Sequence, residues 1–271
     1  MLPPGPPHAP GCEQFHDPLP SAMHITILGS GTCVPSLERS SACIKVTDGT
    51  TTVLLDSGPG SLRQLMRAET EINDIDLVCY THLHVDHTAD FVPLLFASKY
   101  APLPRTRDLA IMAAPGFRDF YDRLTYAYGD WIVPENCTLV WLDAGRPAVF
   151  GSLTITAAPV RHTPHSIAFR LADSSGKSMV YSGDTDYCRE IIDLAVGCDV
   201  LILECSFPDD QYHEGHLTPE RAGKIAAEAG CRQLVLTHFY PDCDPQQAVP
   251  GAAKKFRGCI HAAHDLIEIK L

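Results

Sequence analysis

Short apolar runs alternate with Gly-rich turns and longer amphipathic stretches along most of the chain. A period of two or a continuous apolar run bounded by turn residues marks a strand, and a period near 3.6 marks a helix. On that basis strands are predicted over 24–29, 42–46, 52–56, 76–80 and 109–113 in the first half. Helices are predicted there over 62–68, 89–100 and 117–128. The second half repeats the style, with strands over 138–142, 153–158, 167–171, 178–182, 200–204, 233–237 and 265–269. Thr218 stands where an N-cap belongs, Pro219 at the first helical position and Gly230 just past the end, so a helix is predicted between them. A further helix is predicted over 244–256.

Strands and helices alternating through both halves give an α/β fold, with each half expected to form a sheet covered by helices. At 271 residues the chain is long enough for one large domain. Residues 1–22 hold Pro3, Pro4, Pro6, Pro7, Pro10, Pro18 and Pro20, with no Lys or Arg and no apolar run. They read as an extended lead and lack the basic start and apolar stretch of a secretory signal. The domain is therefore expected over 23–271, with Met23 a candidate natural start. No stretch approaches the 18 apolar residues of a membrane helix.

Composition changes this picture in three places. The net charge of −12 argues against broad binding to nucleic acid or to anionic membranes. Eleven cysteines form no C-x-x-C pair and no spaced framework, so they read as reduced, buried small hydrophobes in a cytoplasmic protein. Thirteen histidines is a high count, and several fall where predicted strands end.

The strongest chemical signal is Thr81-His82-Leu83-His84-Val85-Asp86-His87, directly after an apolar strand and before a helix. On an irregular loop, side chains two apart converge on one ion while the next pair turns toward a second. Imidazole and carboxylate are the donors that zinc favours. Four further candidates sit beside strand ends or a helix start: His162 after Ala157-Ala158-Pro159-Val160, Asp184 after Ser182-Gly183, His216 before Leu217-Thr218 and His238 after Thr237.

These motifs, with Gly29-Ser30-Gly31-Thr32 and Asp56-Ser57-Gly58, resemble the metallo-β-lactamase superfamily, and within it the ribonuclease Z-like phosphodiesterases. The resemblance implies a four-layered αβ/βα sandwich of the metallo-β-lactamase type. It implies two metal ions, zinc with Mn2+ or Fe2+ as alternatives. His82, His84 and His162 would hold the first and Asp86, His87 and His238 the second, with Asp184 bridging both. Asp56 would orient a ligand histidine. A water shared by the ions would attack phosphorus, Asp86 would accept its proton, and His216 would contact the phosphate and protonate the leaving oxygen.

The resemblance has a gap. Ribonuclease Z proper inserts a long tRNA-gripping arm between the residues matching His162 and Asp184, whereas 22 positions separate them here. That argues against pre-tRNA cleavage and for a small-molecule or nucleotide phosphodiester. Hydrolysis of a lactone or sulfate ester, tRNA 3′ processing, and a non-catalytic metal-binding protein are the alternative readings. A homodimer is expected by resemblance, since the predicted helix over 89–100 carries Phe91, Leu94, Leu95, Phe96 and Tyr100.

Overall fold

The computed structural model describes residues 22–271 apart from 101, 103, 104, 106, 115 and 142–144. The Pro-rich lead therefore lies, but for Ala22, outside the described residues. The first sheet runs in chain order through β1 (His24–Gly29), β2 (Cys43–Thr47), β3 (Thr52–Leu55), β4 (Leu77–Tyr80), β5 (Leu109–Ala113) and β6 (Cys137–Trp141). The second runs likewise through β7 (Ala148–Phe150), β8 (Leu153–Pro159), β9 (Ile167–Ala172), β10 (Ser178–Tyr181), β11 (Val200–Glu204), β12 (Gln233–Thr237) and β13 (Cys259–Ala262). The chain then returns to the first sheet, where β14 (Ile267–Lys270) pairs antiparallel with β1.

In each sheet the antiparallel strands lie at one side and the parallel ones at the other. Strands β3 to β6 are mutually parallel, and so are β10 to β13. Parallel neighbours need long crossovers, and helices supply most of them. The first half uses α1 (Ser61–Arg67), α2 (Val85–Thr88), α3 (Phe91–Tyr100) and α4 (Phe117–Tyr128). The second uses α5 (Arg189–Ala195), α6 (Pro219–Ala229) and α7 (Pro245–Ala253).

Side-chain alternation then sorts the layers. Val53 and Leu55 of β3, Leu77 and Cys79 of β4, and Val200 and Ile202 of β11 share the core between the sheets with Phe169, Met179 and Tyr181. Leu54, Val78 and Tyr80 face the other way, onto Leu65, Phe91, Leu94 and Phe117 of the first helical layer. Leu201 and Leu203 pack outward against Ile191, Ile192, Ala222 and Ile225 of the second. Helices, sheet, sheet and helices make the expected four-layered α/β sandwich.

Local differences from the sequence reading have physical causes. The helix predicted over 89–100 begins only at Phe91, as α3, and a separate single turn, α2, ends just before it at Thr88. Asp86 and His87 thus sit on a single helical turn rather than on an irregular loop. His84 C=O closes that turn by accepting from the His87 amide and the Thr88 hydroxyl. Thr218 does precede α6, but its side chain makes no capping hydrogen bond, whereas Asp244 caps α7 by accepting from the Gln246 amide. The ten described cysteines are all free thiols. No helix among the described residues is long and apolar enough to cross a membrane.

Candidate metal centre

In open α/β sheets, ligands gather beyond the carboxyl ends of the strands. Both sheets turn such ends toward one place. Asp56 follows β3, His82 follows β4, Asp184 lies just past β10, Glu204 ends β11 and His238 follows β12. His162 comes three residues after β8, and His84, Asp86 and His87 flank or form α2. All seven expected ligands are brought together. They fall into two groups of close donor atoms: His82, His84, His162 and Asp184 in one, Asp86, His87 and His238 in the other.

The backbone is bent to achieve this. Asp56 and His238 adopt left-handed conformations, with φ of 61° and 59°. Non-glycine residues rarely do so, and they cluster where function over-determines the fold. Gly183 has φ of 57°, and a Cβ there would come within 2.6 Å of Thr81 Cβ. Only glycine lets the chain turn that closely past β4 and present Asp184.

The outward nitrogens of four histidines are held by hydrogen bonds. His87 Nδ1–H donates to Asp56 (2.7 Å) and His162 Nδ1–H to the Gly215 carbonyl (2.9 Å). His82 Nδ1 meets the Thr81 hydroxyl at 3.0 Å, which itself donates to Asp56 (2.8 Å). His238 Nδ1 meets the Ser206 hydroxyl at 3.0 Å. Each contact fixes the ring and leaves Nε2 pointing inward, the arrangement that metal sites use. Asp56 also accepts from the Thr81 amide and the Tyr181 hydroxyl.

Asp184 lies between the two groups. Its Oδ1 is 3.2 Å from His87 Nε2 and 3.4 Å from His238 Nε2, and its Oδ2 is 3.7 Å from both His82 Nε2 and His162 Nε2. Nε2 of His87 and Nε2 of His238 stand only 3.2 Å apart, and Asp86 Oδ2 is 3.3 Å from the latter. His82 Nε2 and Asp184 Oδ1 are buried with no aligned hydrogen-bond partner. Buried polar atoms are rarely left so. A cation between these groups would satisfy both, so the donor set fits metal ions.

The electrostatics of His82 and His162 suit a cation site, whereas at His87 burial is outweighed by Asp184 and Asp56, which raise the imidazole well above its usual range. Burial, with His87 adding to it, pushes His82 down to about 2, and burial also lowers His162. Both are therefore neutral donors. Burial works against the Asp184 charge, but His238 and His87 outweigh it and hold the carboxyl well below its usual range. Burial likewise opposes ionisation of Asp86, yet its contact with His238 keeps it low.

His216 stands beside these groups and is committed elsewhere. Its Nδ1–H donates to Glu204 Oε1 at 2.9 Å and lies 4.0 Å from Asp184 Oδ2. Burial disfavours its charged form, but Glu204 outweighs burial and raises the imidazole to about 9. Glu204 also accepts from the amides of Thr185, Ser206 and Leu217 and from the Ser206 hydroxyl. Asp184, Glu204 and His216 also form a group of close donors, yet five hydrogen bonds already engage Glu204. Sequence reasoning missed this carboxylate. Its signal was an acid ending the otherwise apolar run Val200-Leu201-Ile202-Leu203, where a strand is buried on both faces.

The segment carrying His216 is braced from below. Asp186 accepts from the Tyr212 hydroxyl (2.6 Å), the amides of Tyr187 and Gly215, and the Arg221 guanidinium, which also lies over the Tyr212 ring. Gly215 in turn supplies the carbonyl that orients His162.

Comparison with known proteins matches residues 51–239 to a family described as the β-lactamase superfamily domain. An uncharacterised protein of Mycobacterium tuberculosis is 33% identical over 252 residues, 89% of each chain. The ribonuclease Z of Streptomyces avermitilis is 25% identical over 302 residues, covering 92% of this chain and 98% of that one. Among solved structures, the metallo-β-lactamase fold protein YhfI of Bacillus subtilis superposes with a TM-score of 0.83 at 26% identity, over 92% of this chain and all of that one.

Proposed function

Since the chain belongs to the metallo-β-lactamase superfamily, in its ribonuclease Z-like branch, we propose that it is a phosphodiesterase holding two metal ions. Zinc is the preferred occupant, with Mn2+ or Fe2+ as alternatives that the same nitrogen and oxygen donors accept. His82, His84 and His162 would hold one ion, and Asp86, His87 and His238 would hold the other. The observation that carries the reading is Asp184, whose two oxygens face two separate histidine groups. When bound, such a metal pair lowers the pKa of water and neutralises charge on phosphoryl oxygens.

The protein's own groups supply the rest. Asp86, held anionic near His238, accepts a proton at its carboxylate. His216 keeps Nδ1–H on Glu204, which leaves Nε2 to contact the phosphate and to deliver a proton to the leaving oxygen. Asp56 keeps His87 in the tautomer that presents Nε2. The site has acid and base groups for an ester with a poor leaving group.

Small diesters suit it better than tRNA. Between His162 and Asp184 the chain forms only the β9–β10 hairpin, closed by the Asp173–Lys177 turn. No arm that could grip a tRNA lies there.

Metal analysis and a substrate panel test the proposal together. Two ions per chain are expected, with turnover of bis-p-nitrophenyl phosphate or a cyclic nucleotide and none of a lactone or a pre-tRNA. A single ion after zinc reconstitution, or turnover of the lactone alone, would defeat it.

A further inference from the structure

The tips of two loops that leave the metal centre enclose a recess of about 390 Å³. One loop follows β1 and contributes Thr32, Val34 and Pro35; the other follows His238 and contributes Phe239 and Tyr240. The Phe239 amide ties the second to the first by donating to the Ser30 carbonyl at 3.0 Å. The volume lies in the range of small-ligand pockets.

Tyr240 joins this recess to the site. Its ring centre is 5.9 Å from that of His238 and 6.3 Å from that of His216. Phe207 stacks on it at 4.8 Å with the planes 21° apart, and His213 follows Phe207 at 4.2 Å. Phe207 covers one face of the Tyr240 ring and does not itself line the recess, whereas Tyr240 does. The result is an aromatic wall, held from behind, beside the groups assigned to the phosphate.

The charges around the recess narrow its occupant. Arg39 is the one cation among the described lining residues, and it is already engaged. Its guanidinium bonds the Ser30 hydroxyl and the Ala263 carbonyl and lies 4.9 Å over the Phe239 ring. Glu38 and Asp244 add negative charge. A second phosphate has nothing there to neutralise it, whereas a flat uncharged ring has a stacking partner.

We propose that Tyr240, backed by Phe207, is a specificity-determining wall that stacks on an aromatic group, an aryl ring or nucleobase, attached to the phosphate at the metal centre. The inference rests on the phosphodiesterase reading for where the phosphate lies. It is tested without turnover, by calorimetric binding of phosphate monoesters to the zinc-loaded full chain. Phenyl phosphate and adenosine 5′-monophosphate should bind more tightly than ethyl phosphate by about 5–150-fold, the range for one stacked ring. Y240F should keep that preference. Y240L, which fills the volume without a ring, should lose it while retaining the metal content and melting temperature of the wild type. Equal affinities in the wild type, a preference surviving Y240L, or a loss as large in Y240F would each overturn the proposal. Failure to hydrolyse any diester would instead count against the phosphodiesterase reading and leave this binding comparison intact.

Discussion

Glu204 is a fully buried carboxylate whose charge is balanced entirely by donors: three amides, one hydroxyl and the His216 imidazole. Glu204→Gln keeps its shape but turns an –NH2 toward groups that are themselves donors. The expected cost is about 2–3 kcal/mol, from buried donors left without an acceptor. Thermal unfolding measures it, and an unchanged melting temperature would show that water replaces the lost contacts. His216→Ala separates chemistry from structure more cleanly. It should retain both ions and, because it leaves the buried Glu204 one donor short, lose some stability, while turnover of a diester with a poor leaving group falls by about 10²–10⁴. A p-nitrophenolate leaving group needs less protonation and should suffer less. Equal losses on both would remove the acid role, and loss of an ion would refute the assignment. At this scale the sequence was informative because ligand chemistry is written in residue type. His82, His84, Asp86, His87, His162, Asp184 and His238 could be singled out by type and by their place beside predicted strands or before a predicted helix. Glu204 was not, because its one signal, an acid ending the apolar strand β11, equally fits an ordinary strand terminus until its partners are seen.

Turns also join the two sheets, and Asp48 shows how. In the turn between β2 and β3 it accepts from the amides of Thr50 and Thr51 and from the Thr50 hydroxyl, and it also reaches Ser152 in the turn between β7 and β8 of the opposite sheet. Burial alone would raise its pKa, but Ser152 and the turn amides outweigh that and lower it. A carboxyl lowered on folding stabilises the fold fully above its unfolded value, near 3.9, and loses that contribution as pH falls through the folded value. Asp48→Asn should therefore lower the melting temperature at pH 7, and the gap from the wild type should narrow below about pH 4. A gap that stays constant with pH would assign the effect to packing. Several elements escaped sequence reading for related reasons. Strand β7 has three residues, too few to show a period. Strand β13 is an edge strand with Cys259 and His261 exposed, so no apolar run marks it. Helix α5 is seven residues long and shows only Ile191, Ile192 and Ala195 on its buried face. The parallel pairing of β10 with β11 requires a crossover there, but pairing direction is not visible in a linear pattern.

The whole molecule is two sheets closed on each other, and no local pattern states which strands face which. Continuous apolar runs such as those over 77–80 and 200–203 revealed two-sided burial; only the family resemblance suggested that the halves stack. The candidate ligands straddle that seam. His82, His84, Asp86 and His87 come from the first half, and His162, Asp184 and His238 from the second. Ions held across it as proposed would stabilise the closed arrangement by mass action, by about 2.7 kcal/mol at a hundredfold excess over the dissociation constant. Removing them with a chelator should lower the melting temperature by on the order of 5–10 °C, reversed by zinc, and calorimetry checks it. A melting temperature indifferent to chelation would mean that the site contributes nothing to closure. The return of β14 to β1 has a different consequence. The second half carries a strand that belongs to the first sheet, and the Leu271 amide bonds the Met23 carbonyl at 3.0 Å. If the chain were severed between β6 and β7, each fragment would hold an incomplete set of ligands, and the carboxy-terminal fragment would also carry a ready-made hook for its mate. Co-expressed fragments should find one another and regain zinc binding that neither has alone, making this protein a natural split reporter whose signal is the metal itself.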